Sequence, residues 1–343
     1  MIIQDHDGVG PRATIKDVAN LAGVGVGTVS RVLNQAPQVS AKNIAAVTKA
    51  IEELGYRRND TARTLRTGAT KSIALLVQDV ADPFFSQLNR AVEDVVVRLG
   101  SVLLTGSSSR DPARTQNLIL NFCSRGVDGL ILTLPEGIDE QYLIQENQRG
   151  VAMVCVDRPP RELNVDTVLT DNRGGAAKGV QHLISHGHRR IACITDEPTM
   201  YTVQERLRGY EDALAQAGIE VDPTLVFSGS PSISNVAEAL EAMLQSSEPP
   251  TAIFTGNGPS SMAVLNVLRT RSMHLAIVAF DDFDQADIVE PGITVVAQDP
   301  HLMGVTAMAL LQERIKGSKV PARTVVQATE LIQRGSGEVF ITA

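Results

Sequence analysis

The chain of 343 residues has no tryptophan and only 3% aromatic residues, which disfavours a binding site that sandwiches a purine between large rings. Cysteine is equally scarce. Cys123, Cys155 and Cys193 are odd in number, far apart and without a Cys-x-x-Cys pair, so neither a disulfide framework nor a zinc site is indicated. No apolar run approaches membrane-spanning length. The amino terminus MIIQDHDGVGPRA carries acids where an export signal needs positive charge. A reducing cytoplasm is the expected home, and residues 1–13 are expected to form a loose tail. Positive charge is also short overall: the net value of −8 argues against a binder of polyanions along the whole chain. Neither a GxSxG elbow nor a GxxxxGK[ST] loop occurs, so no catalytic reading is favoured.

The net charge conceals an asymmetry. The first 71 residues hold ten Lys/Arg against six Asp/Glu, a balance of +4 that leaves −12 for the remainder. A basic head on an acidic body suits a nucleic-acid-binding module joined to something else. Within that head, AGVGVGTVSRVLN alternates Gly23, Gly25 and Gly27. A dinucleotide loop would need a buried strand before these glycines and an acid about 20 positions later, and neither is present. Instead, Ile15, Val18, Ala19 and Ala22 recur at helical spacing behind Thr14, a candidate N-cap with Asp17 three residues on. Gly23 ends that helix, Gly25 opens a second with apolar Val29, Val32 and Leu33, and SAKNIAAVTKAIEELGY supplies a third between Ser40 and Gly55. Two short helices joined by a tight glycine turn make a helix-turn-helix.

Over TIKDVANLAGVGVGTVSRVLN and VSAKNIAAVTKAIEELGYRRNDTARTLRTG the sequence resembles the lactose/galactose repressor (LacI/GalR) family of bacterial regulators. The resemblance implies a DNA-binding head over 14–58 whose second helix enters the major groove, and a hinge over 59–70 that forms a helix on DNA and wedges a leucine into the minor groove. The implied DNA-facing residues are Thr14, Val26, Gly27, Thr28, Ser30, Arg31 and Asn34 in the head, and Asn59, Ala62, Arg63, Leu65 and Arg66 in the hinge, with Leu65 as the wedge. Arg31 could read guanine or sit on phosphate, and Arg57 and Arg58 could neutralise further phosphates. Where the family usually has a hydroxyl residue this chain has Gly25, which removes one expected cap and phosphate contact. Paired hinges imply a homodimer on a near-palindromic operator. The segment SGEVFITA after Gly335 holds no leucine heptad, which argues against a tetramer.

From Ser72 the pattern alternates short β-rich runs, among them SIALLVQD, GLILTL, AMVCVD, RIACITD and LAIVAFDD, with helical stretches. Several runs end on a polar or acidic residue, as strands do when a binding crevice lies beyond their carboxyl ends. This predicts a doubly wound α/β architecture with too many strands for one sheet, hence two lobes: 71–170 plus 299–328, and 171–298 plus 329–343. The resemblance continues through VQDVADPFFSQLNRAVE, HLISHGHRRIACI, ERLRGYEDAL and VAFDD into a core like the periplasmic binding proteins.

That resemblance implies a small effector between the lobes, held by Asp82, Phe84 and Phe85 of DPFF, Asp157 and Arg158 of CVDRP, Arg206, Asn257, Asp281 and Gln298. One or both phenylalanines could stack on a ring face. Carboxylates, guanidinium and amides around an aromatic face suit a neutral sugar or polyol such as a hexose, pentose or inositol. Each residue also has a plainer reading: Arg206 could pair within its helix, Asp282 cap one, and Phe84 belong to the core. Two departures from the family, Asp82 in place of asparagine and Gly258 in place of an aspartate, leave open a purine or nucleoside, a phosphorylated metabolite or a protein coregulator. His182 and His186 could share a helix face as metal ligands, but the GH turn and the family's same motif favour a structural role, and no metal or cofactor is expected. A transport binding protein of the same core fold would need an export signal and no helix-turn-helix head. The expected mechanism is linkage between effector and operator, as inducer or as corepressor.

Overall fold

A computed structural model of the protein describes residues 13–34, 36–56, 70–271 and 273–339. The tail to residue 12 and the hinge positions Asn59, Ala62, Arg63, Leu65 and Arg66 lie outside the described residues. The chain divides into two compact units, Met1–Thr70 and Lys71–Ala343.

The first unit contains α1 (Ile15–Ala22), α2 (Val26–Leu33) and α3 (Ala41–Leu54). Thr14 and Asp17 form a capping box: the Thr14 hydroxyl oxygen accepts from the Asp17 amide at 3.4 Å, and the Asp17 carboxylate accepts from the Thr14 amide at 2.8 Å. Gly23, at φ 65°, stops α1 in the left-handed conformation that a side chain would disfavour, and the chain turns into α2. Val18, Ala19, Val29, Val47 and Ala50 are buried together, with Val32 and Leu33 packed against them. The apolar face of α2 is thus committed to the head's own core.

The second unit opens with β1 (Ser72–Val77), α4 (Pro83–Arg98), β2 (Val102–Ser107), α5 (Pro112–Ser124), β3 (Gly129–Leu132), α6 (Gln141–Gln148), β4 (Ala152–Val156) and β5 (Asp166–Thr170). It continues with α7 (Asn172–Ser185), β6 (Ile191–Thr195), α8 (Tyr201–Gln216), β7 (Val226–Ser228), α9 (Ile233–Leu244), β8 (Ala252–Thr255), α10 (Gly258–Thr270), β9 (Ala276–Phe280) and β10 (Thr294–Ala297). The last elements are α11 (Pro300–Ile315), β11 (Thr324–Gln327) and β12 (Glu330–Ile332).

These strands form two six-stranded sheets, β11-β5-β4-β3-β1-β2 in the first lobe and β12-β10-β9-β8-β6-β7 in the second. Every pair is parallel except β10 with β12. Helices cover both faces, so β4 and β9 are apolar and buried along their whole length and show no in-out alternation. Leu75, Val154, Ile131 and Met308 pack on one face of the first sheet, and Leu76, Leu130, Leu132 and Met153 on the other. Each such fully buried aliphatic side chain contributes about 1.5–3 kcal/mol.

The chain crosses between the sheets three times, after β5, after β10 and after β11. Both sheets therefore point their carboxyl ends at a shared crevice. Gly209 lets α8 lie close against α7, since a Cβ there would come within 2.2 Å of the Arg173 carbonyl oxygen. That contact fixes the helix that carries Arg206.

Candidate DNA interface and effector cleft

In the head, Val26, Gly27 and Thr28 occupy the amino-terminal turn of α2, and Val26 is 42% exposed although it is apolar. Gly25 caps the helix without a side-chain hydrogen bond, so its first amides are left to an outside acceptor such as phosphate. Arg31 is exposed and its Nε donates to the Gly27 carbonyl at 3.3 Å, while Asn34 Nδ2 donates to the Ser30 hydroxyl at 3.4 Å. These polar groups lie on the side of α2 that the core residue Val29 does not use.

In the second unit, Asp82 caps α4, its Oδ1 accepting from the Phe84 amide at 2.9 Å. Burial pushes this carboxyl up to about 6; the Phe84 amide opposes the shift, and Asp281, Asp157 and Asp79 add to it. Phe84 lines the crevice. Phe85 does not: it is 4% exposed and packed into the first lobe's core beside Leu88 and Met303. Its expected place in the effector set is corrected accordingly. Successive helical residues point about 100° apart, so only one of the two rings can face the cleft.

Asp157 follows β4 at φ 69° and Asp281 follows β9 at φ 75°, both in the left-handed region that aspartate tolerates better than most side chains. Each donates its amide at 3.0 Å to a carbonyl of the adjacent strand, Val168 for Asp157 and Val296 for Asp281. Asp157 is buried, and burial raises its pKa against the opposing charges of Arg158 and Arg206. Arg158 Nε lies 3.3 Å from Asp157 Oδ2, and its Nη2 donates to Gln78 Oε1 at 2.5 Å.

Arg206 donates to Asn172 Oδ1 at 2.7 Å and to the Gly256 carbonyl at 2.6 Å, and it stacks 3.8 Å above the Phe280 ring. Its Nη1 lies 3.5 Å from Asp281 Oδ2. It does not pair within its own helix. Gln298 Nε2 donates to Asp281 Oδ1 at 2.5 Å and its Oε1 accepts from Thr170, where two of the interlobe crossings meet. Asn257 caps α10 and donates to Asp196 at 3.1 Å. Asp282 forms a two-point pair with Arg334 and caps no helix.

A cavity of about 500 Å³ lies between the lobes, walled by Asp82, Phe84, Arg110, Gly258, Met262 and Asp281. It shares Phe84 and Asp281 with a second of about 820 Å³, which Gln298 lines. Asp157, Arg158, Arg206 and Asn257 are not among the residues that wall either cavity; of them, Arg206 reaches a wall carboxylate, Asp281, while Arg158 pairs with Asp157 and Gln78. Sequence reasoning missed Gln78, Arg110, Asn172 and Asp196. Asp196 closes the run RIACITD and could have been found by the same end-of-strand signal; Arg110 carried none. His182 Nε2 meets Glu338 Oε1 at 2.6 Å and His186 Nδ1 meets the His182 carbonyl at 2.9 Å, while no group of three potential ligands for a metal occurs among the described residues.

Comparison with known proteins decides the class. Residues 14–59 match the profile of bacterial regulatory proteins, lacI family, and residues 180–337 match the periplasmic binding protein-like domain. The HTH-type transcriptional regulator CelR of Thermobifida fusca is 37% identical over 347 residues, covering 95% of this chain and 98% of the relative. The chain belongs to the LacI family. The repressor PurR of Aliivibrio salmonicida is 30% identical over 329 residues, covering 94% and 98%. Among solved structures, a complex of CelR with cellobiose superposes with a TM-score of 0.70 at 34% identity, covering 95% of this chain and 100% of that one. The Lac repressor dimer bound to operator and the anti-inducer ONPF shares the fold, with a TM-score of 0.85 at 24% identity and coverage of 96% and 100%. This LacI-family chain is thus a DNA-binding transcription regulator of a family that is not enzymatic, on a helix-turn-helix head and a two-lobed α/β core. No helix among the described residues is long and apolar enough to cross a membrane.

Proposed function

We propose that this regulator binds a near-palindromic operator as a cytoplasmic homodimer and responds to a neutral sugar or polyol held between its core lobes. The observation that carries the effector class is the cleft wall: Asp82 and Asp281 carboxylates and the Gln298 amide beside the Phe84 face. Such groups accept from and donate to ring hydroxyls, and the aromatic face covers an apolar ring side. The arginines nearby are occupied by protein acceptors and leave little positive charge for a phosphate ester. The cellobiose complex of CelR lends the same support from a relative.

The DNA-reading residues in this proposal are Thr14, Val26, Gly27, Thr28, Ser30, Arg31 and Asn34, joined by Asn59, Ala62, Arg63, Leu65 and Arg66 of the hinge, with 71–343 as the effector and dimerisation core. The effector favours one lobe arrangement and so shifts operator affinity; a tenfold change needs about 1.4 kcal/mol of differential binding.

The test is equilibrium dialysis of the full chain against a mixture of hexoses, pentoses, disaccharides, inositols, nucleosides, purines and sugar phosphates, followed by mass analysis of what is retained. Retention of a sugar or polyol whose addition changes operator affinity is expected. Retention of a purine, nucleoside or phosphate ester alone overturns the effector class and leaves the regulator standing. In parallel, Leu65→Ala should weaken specific operator binding with effector affinity intact; equal operator binding would remove Leu65 as the wedge.

A further inference from the structure

Arg110 and Asp196 sit on opposite lobes, 86 residues apart, and meet in a two-point ion pair: Nη1 to Oδ1 at 2.9 Å and Nη2 to Oδ2 at 2.7 Å. The Asp196 side chain is wholly buried. Burial alone would raise its pKa, yet it lies below the ordinary carboxylate value because Arg110, the Glu197 amide and Asn257 all donate to it. The two protein donors besides Arg110 are neutral and belong to the same lobe. The positive charge offsetting this carboxylate therefore comes from across the cleft.

The loop that delivers Arg110 is built for the reach. Ser109 and Arg110 are consecutive non-glycine residues at φ 54° and 61°, a left-handed pair that L-residues adopt only when neighbouring contacts enforce it. Those contacts are present: the Ser108 and Ser109 amides donate to Val77 and Gln78 carbonyls at 2.9 and 2.8 Å, and Asp111 begins α5 directly afterwards. The loop is thereby fastened to the end of β1 while its arginine projects to the other lobe. Arg110 also walls the cavity beside Asp82, and Asn257, an effector candidate, holds Asp196 from the far side.

We propose that Arg110 and Asp196 form a latch that joins the lobes at the mouth of the cleft, and that Arg110 is a positioning residue setting how far the lobes close on an effector. Opening the cleft strands a buried carboxylate without its cation, whereas closing it returns the pair. The arginine fork matters as well as its charge, because both carboxylate oxygens are engaged. The regulatory role rests on the reading of the cleft as the effector site; the latch itself is measurable without any effector.

The experiment places spin labels at Asn117 on α5 and Ser234 on α9, both exposed, in the full chain with Cys123→Ser, diluted with unlabelled protein so that each assembly carries one labelled copy. Lobe-to-lobe distances are read by double electron–electron resonance. Arg110→Gln should shift the distribution to longer, broader separations, Arg110→Lys should shift it less, and Arg110→Gln with Asp196→Asn should add nothing to either alone. A distribution in Arg110→Gln that matches the parent overturns the latch, as does an additive double variant. Because Arg110 is 40% exposed, its two substitutions decide the matter even if Asp196→Asn fails to fold. The dialysis result for the effector stands or falls separately.

Discussion

The first lobe's sheet is parallel throughout whereas the second ends on an antiparallel strand, yet each places an aspartate in the left-handed region where a central strand stops. The surroundings then make the two acids different. Asp157 is shut in beside Arg158 of its own loop, while the Asp281 side chain remains 18% exposed, faces the cavity and is steadied by Arg206 and Gln298. A shared backbone device aims a carboxylate at the crevice; the cations and amides behind it decide whether that carboxylate is enclosed or presented.

The largest break in this comparison is Arg206→Ala. It removes the support of Asp281 and leaves Asn172 Oδ1 and the Gly256 carbonyl without their donor, so unfolding free energy should fall by about 3–5 kcal/mol and effector response should vanish. Urea titration and operator binding with effector read the two effects, and a normally responding variant would remove Arg206 from the site.

Next comes Asp82, on the first lobe's side. Its folded carboxyl holds a proton up to about pH 6, whereas the unfolded one releases it near 3.8, so the folded state binds more protons between those values. The contribution of Asp82 to stability should therefore fall as pH rises from about 4 to about 6, and its penalty should persist in full above that. Asp82→Asn keeps a good helix cap and removes the penalty: it should exceed the parent by on the order of 2 kcal/mol above pH 6, with the gap closing below pH 4. Parallel stability curves would refute this.

Two glycines sharpen the contrast between lobes. Gly209→Ala would drive a methyl into the Arg173 carbonyl oxygen at 2.2 Å and should cost about 1–3 kcal/mol in thermal unfolding. Gly129→Ala in the first lobe meets first the Leu311 side chain, at 2.9 Å, rather than backbone, so its cost should be the smaller of the two. The least effect belongs to Asp282→Asn, which loses a partly exposed pair with Arg334 and should change stability by about 0–1 kcal/mol in the same assay.

Most of the sheet scaffold was legible because its strands are buried on both faces and read as unbroken apolar runs. The strands that escaped were β7, β11 and β12. Each has three or four residues and ends a sheet, and none is buried along its whole length, so the apolar signal is short and diluted. In the cleft, residues just beyond strand ends were readable, since their position follows from topology. The separate fates of Phe84 and Phe85 depend on helix rotation. The importance of Arg110 depends on Asp196, which lies far away in sequence, and no local pattern announces such a pair.

The three crossings between lobes have a consequence for how the molecule is made. Met303, Ala307, Met308 and Leu311 of α11 cover the first lobe's sheet, and β11 completes its edge, yet both are translated after nearly all of the second lobe. The lobe that leaves the ribosome first must wait, with Val154 and Ile131 uncovered, for residues that arrive near the end of synthesis. During that interval the apolar face that α11 later covers stays open to water and to other chains.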